Sequence, residues 1–65
     1  MVGFTDHARK RMSERKVSKA QILETLKHPN AIEDEGGGVQ LFKKKFNGRA
    51  LGVVVEIKLN RTTVI

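Results

Sequence analysis

His7, Arg11 and Arg15 recur at four-residue spacing in the segment Thr5-Asp-His-Ala-Arg-Lys-Arg-Met-Ser-Glu-Arg15. On a helix turning ~100° per residue, Phe4, Ala8 and Met12 share one ~80° arc. Arg11 and Arg15 lie on that same side, and His7 stands ~40° beyond Arg11. Two guanidiniums beside an apolar stripe are expected to be half-buried and held by partners. A histidine next to two restrained guanidiniums makes an anion site. It also makes a candidate catalytic one, because imidazole moves protons and arginine offsets charge on phosphate. The structural alternative is that the arginine stems lie along apolar surface with their heads in water.

The chemistry best served by these residue types is metal-independent cleavage of a phosphodiester. His7, Glu14 or Glu56 would move protons, and Arg11, Arg15, Lys43 or Arg49 would stabilise charge on phosphate. Other chemistries lack their residues. There is no phosphate-loop, dinucleotide, zinc-protease or nucleophile-elbow motif. Gly36 to Gly38 precede a strand rather than a helix, so they do not cradle phosphate. Glu33, Asp34 and Glu35 are adjacent strand residues that point alternately to opposite faces, a poor basis for a two-metal site. Ser13 and Ser18 have no base at a useful spacing. With no cysteine, and with His7 and His28 lacking carboxylates at ligand spacing, no metal site and no cofactor are expected.

Thirteen Lys and Arg against seven Asp and Glu give a formal charge of +6, which favours RNA, DNA or an acidic protein as partner. There is no Trp or Tyr, and the three Phe are expected in the core, so a base-stacking platform is not expected. At 65 residues the chain is one domain, 1–65. A core of this size is marginal, because ~60 residues bury only ~60% of their unfolded surface. Asp6, His7 and Arg9 precede any apolar run, unlike a signal peptide. The longest apolar run, Leu51 to Val55, is too short to span a bilayer. The expected location is the cytoplasm, with no membrane contact.

The elements that must position these residues follow from local chemistry. Thr5 caps a first helix that runs to about Lys16, with Asp6 in its first turn. Ser18 and Gln21 form a capping box opening a second helix, with Val17 stapled to Ile22. Ile22, Leu23 and Leu26 line its apolar face, and Pro29 ends it near Lys27 or His28. His28 is placed to meet the helix C-terminus. Four strands follow: Ala31 to Glu35, Val39 to Phe46, Arg49 to Leu59, and Thr62 to Ile65.

Register follows from the turns. A two-residue turn at Asn47-Gly48 pairs Phe46 with Arg49, Lys44 with Leu51, Phe42 with Val53 and Gln40 with Val55. A three-residue glycine turn pairs Ile32 with Phe42, and a turn at Asn60-Arg61 pairs Ile57 with Val64. All place one apolar face together, giving an α+β fold: two N-terminal helices packed on a four-stranded antiparallel meander, ααββββ. On the opposite face Lys45 meets Ala50 and Lys43 meets Gly52, a shallow trough bordered by lysines. Gly52 reads as a bulge, or as a point of close approach by a ligand. The Lys43-Lys44-Lys45 run reads as a polyanion-contacting surface. The last strand is short, so the edge from Arg49 to Val55 is expected to be open. A homodimer, an extended segment of an antitoxin-like protein, or chain beyond Ile65 would cover it.

The motif His7-Ala8-x-x-Arg11-Met12-x-x-Arg15, then Val17-Ser18, Leu26-x-x-Pro29 and Asn47-Gly48-Arg49-x-Leu51-x-Val53-Val54-Val55, resembles the family called domain of unknown function DUF4258. The resemblance spans essentially the whole chain. It implies a compact ααββββ fold similar to RelE-type ribonuclease toxins, with His7, Arg11, Arg15 and Arg49 as the positions carried over. The family usually continues its last strand into a T-V-Y-P-like stretch, which this sequence lacks, and RelE-type toxins often place a catalytic group there. The leading expectation is an RNA-directed domain with metal-independent endoribonuclease activity. His7, Arg11 and Arg15 would be catalytic, and Lys43, Lys45 and Arg49 would hold the RNA. The rivals are a non-catalytic module that docks RNA or an acidic protein, and a fold in which Arg11 and Arg15 are structural.

Overall fold

A computed structural model describes residues 2–65. The order is β1 (Val2–Phe4), α1 (Asp6–Arg15), α2 (Lys19–Lys27), β2 (Ala31–Gly36), β3 (Val39–Phe46), β4 (Arg49–Lys58) and β5 (Arg61–Val64). The fold is α+β, two helices on one mixed five-stranded sheet of order β1-β5-β4-β3-β2. The expected antiparallel meander is present as β2 to β5. The added strand is β1, which pairs in parallel with β5 and sets Phe4 beside Val64. Phe4 is therefore a strand residue that packs on the core, not part of the first helix.

The helix ends are made by the residues the sequence indicates. The Thr5 hydroxyl accepts from the Ala8 amide at 3.0 Å. The Ser18–Gln21 box is closed in both directions, at 3.1 and 3.0 Å. At the end of α1, Lys16 adopts a left-handed conformation. Its amide and that of Val17 bond back to Ser13 and Met12, the pairing that satisfies the last carbonyls of a helix. At the end of α2, the cation that meets the terminus is Lys44, whose Nζ donates to the His28 carbonyl at 2.8 Å.

The β3–β4 register is as derived, from Phe46 opposite Arg49 to Gln40 opposite Val55. Ile32 opposes Phe42 as expected, with a bulge near Gly36 where Asp34 accepts from the Gly36 amide. Gly52 is not a bulge, since the pairing runs unbroken past it. A Cβ there would stand 3.4 Å from Leu41 Cδ1, so Leu41 fills part of the proposed trough.

The β4–β5 turn differs. It falls at Leu59-Asn60, with Leu59 at φ 48°, and Val55 rather than Ile57 opposes Val64. The shift is two residues, so every side chain keeps its face. Leu59, expected as the last residue of the strand on its apolar face, is instead fully exposed at the turn. The core is Ala8, Ile22, Val53, Val55 and Val64, with Phe4, Met12, Val17, Leu26, Phe42 and Leu51 packed against it. Thr25 is also buried, its hydroxyl donating to the Gln21 carbonyl at 2.8 Å.

Candidate functional site

A groove runs along the margin where α1 meets the outer edge of β4. Only Ala8 of α1 is buried, so this helix stands at the side of the sheet rather than flat upon it. Its His7-Arg11-Arg15 row, rising ~6 Å per step, forms one wall. Facing it are Leu51 to Val54 of β4. The groove comprises two hollows of about 370 and 560 Å³, and Arg15, Val17, Leu51 and Gly52 line both. The first holds His7, Arg11 and Arg15 over an aliphatic floor. The second holds Arg15, Arg49, Lys16 and Glu14 beside Phe46 and Ala50.

Burial and partners differ from expectation. Arg11 and Arg15 are exposed, as is His7. No carboxylate among the described residues lies within 4.0 Å of Arg11, Arg15 or Arg49. The half-buried, partner-held arginines expected from the helical arc are therefore free cations on a groove wall. A helix that contributes one buried residue leaves little of its stripe under cover. No Asp or Glu lines the first hollow, and the proton-moving side chain in its lining is His7.

The floor of the groove includes unpaired backbone. Ile65 donates to the Val54 carbonyl at 2.9 Å, and the β5 pairing proper begins at Val55. Since alternate residues of an antiparallel strand point their N–H and C=O to the same side, Gly52 and Ala50 follow Val54 in facing away from β3. No strand of the described residues lies there. The open edge is thus real but begins one residue short of Val55.

The sequence-derived residues divide between two faces. His7, Arg11, Arg15 and Arg49 come together along the groove. His7 and Arg49 stand in different hollows, joined through Arg15. Lys43 and Lys45 project from the other face of the sheet, because they alternate with Phe42 and Phe46. Lys43 is ion-paired to Glu33, and Glu56 of that face lies 3.8 Å from Lys58. Phe46 was missed as a groove residue. It belongs neither to the buried core nor to the residues packed on it. Its position beside the Asn47-Gly48 turn is the signal that distinguishes it from Phe4 and Phe42.

Among the described residues, no group of three or more His, Asp or Glu side chains is placed to hold a metal ion, and no helix is long and apolar enough to cross a membrane. The chain matches the family Domain of unknown function (DUF4258) over residues 4–65 and belongs to it. Comparison with curated proteins and with solved structures returned no match.

Proposed function

We propose that the chain is a small cytoplasmic RNA-directed domain whose α1–β4 groove holds the phosphate backbone of RNA. The observation that carries this reading is the alignment of Arg11, Arg15 and Arg49 along one groove, none with a carboxylate partner. Cations left free in a concave site are available to phosphate, and the +6 charge draws polyanions toward it. Two helices followed by the meander β2 to β5 are also in keeping with the RelE-type fold that the sequence resemblance implies.

The grouping of His7 with Arg11 and Arg15 in one hollow favours endoribonuclease activity over simple binding. In that reaction the ribose 2′-oxygen attacks phosphorus and the 5′-oxygen of the next nucleotide leaves. Neutral His7 takes the 2′-hydroxyl proton, water supplies the proton to the leaving oxygen, and the two arginines offset charge on the phosphate. A second reading is a binding module for an acidic, antitoxin-like strand or another copy of the chain, favoured by the open edge at Ala50 and Gly52.

The test is incubation of the purified protein with labelled single-stranded RNA in EDTA. Cleavage is expected from the unmodified chain. His7→Ala should retain binding and lose cleavage, and Arg11→Ala/Arg15→Ala should lose both. Absence of RNA binding by the unmodified chain at low salt overturns the proposal.

A further inference from the structure

We infer that the second hollow takes a single unstacked RNA base, with Phe46 as its platform and the open edge of β4 contacting its rim. The inference rests on the RNA reading above and names the part of the RNA that the groove selects.

A nucleobase needs a flat apolar surface for its face and hydrogen-bonding groups for its rim, while its phosphates need cations. All three meet in the second hollow. Phe4 and Phe42 pack on the core, but Phe46 is half-buried and lines this hollow. The Lys44 Nζ lies over one face of the Phe46 ring, 5.8 Å from its centroid, and is tied to the His28 carbonyl, so a base takes the opposite face. The outward N–H and C=O groups of Ala50 and Gly52 supply donors and acceptors in alternation, which match the mixed donor–acceptor rim of a base. Arg15 and Arg49 border the hollow and are free to hold the flanking phosphates. The first hollow has no Phe in its lining, and its one ring, the His7 imidazole, belongs to the anion site. The chain therefore has one base site and a separate anion site, joined through Arg15.

The experiment measures fluorescence anisotropy on two strands of equal length and charge, a short single-stranded RNA and its fully abasic counterpart. The unmodified chain is expected to bind the RNA about tenfold more tightly, the value of roughly one base–aromatic stack. Phe46→Leu keeps an apolar side chain but removes the aromatic face. It should lower RNA affinity about tenfold and leave abasic-strand affinity unchanged. Ala50→Pro removes one outward N–H, a change an open edge tolerates, and should weaken RNA but not abasic binding. Equal binding of both strands by the unmodified chain overturns the base site while leaving the phosphate-binding reading intact. Equal losses on both strands for Phe46→Leu show that Phe46 acts through the fold, and also overturn it. Failure of the unmodified chain to bind either strand removes the underlying RNA reading instead.

Discussion

The two sides of the sheet differ in how their cations are partnered, although Lys45 of the bare face, like the groove arginines, has no carboxylate within 4.0 Å among the described residues. On the bare face, Lys43 is paired with Glu33, and Lys58 lies 3.8 Å from Glu56. On the groove side, Arg11, Arg15 and Arg49 have no such partner. Both sides are basic, so net charge does not separate them. A lysine already neutralised by a cross-strand carboxylate must lose that partner before it can serve phosphate. A free guanidinium need not, and its fork of donors suits phosphate geometry better than an ammonium does. The contrast turns a diffuse charge of +6 into a directional one.

The strongest test sets the two sides against each other. Arg11→Ala/Arg15→Ala should weaken single-stranded RNA binding by about 100-fold, taking each charge-assisted contact at about 1.5 kcal/mol. Lys43→Ala/Lys45→Ala should weaken it by less than about threefold, as expected of charges acting only at a distance through salt. Equal losses, read by anisotropy titration, would break the contrast and return Lys43 and Lys45 to the RNA-binding surface.

The salt dependence sharpens the same point. Three phosphate contacts to a single strand, from Arg11, Arg15 and Arg49, give a log–log slope near −2. Arg49→Ala should reduce that slope by about 0.7, whereas Lys45→Ala should leave it in place. A slope that does not respond to Arg49→Ala would remove Arg49 from the interface.

Amide exchange addresses the groove floor. Leu51 and Val53 face β3, while Ala50 and Gly52 face away from it. In the free protein the Ala50 and Gly52 amides should exchange far faster than those of Leu51 and Val53, because they break no ladder bond to open. Uniform protection from Arg49 to Val55 would mean that a partner strand already covers the edge. Sedimentation would then show whether that strand comes from a second copy.

Much of this was readable from the sequence, and the gaps have physical causes. The β3–β4 pairing followed from Asn47-Gly48 because that dipeptide selects one turn geometry. The β5 register slipped by two residues because the turn uses Leu59, a side chain that seldom adopts positive φ. Parity survived, so the core assignments of Val53, Val55 and Val64 did too. Strand β1 has three residues and no alternation, and it exists only through its parallel pairing with a strand at the far end of the chain. His7, Arg11 and Arg15 were legible as types at a spacing, and Arg49 through the family resemblance. Their freedom from partners was not, because it depends on where α1 sits against the sheet. Phe46 was assigned to the core by composition and by its place on the apolar face of the register, although its position at the hairpin tip sets it apart.

The smallest effect concerns stability, and it divides the two sides in the reverse sense. Arg11 and Arg15 are exposed and make no hydrogen bond to another described residue, so Arg11→Ala and Arg15→Ala should each change stability by less than about 0.5 kcal/mol. Lys43 reaches across to Glu33 on a neighbouring strand, and both side chains are about half exposed. Solvent and the cost of ordering two long side chains limit such a pair, so Lys43→Ala should destabilise by at most about 1 kcal/mol. Thermal melts at low and at moderate salt give the reading. A small Lys43→Ala loss that shrinks with salt, beside arginine variants that melt like the parent, matches paired lysines on one face and free arginines on the other. A larger loss from Arg11→Ala than from Lys43→Ala would mean that the guanidinium has a structural partner, and Arg11 would then no longer be free to bind phosphate.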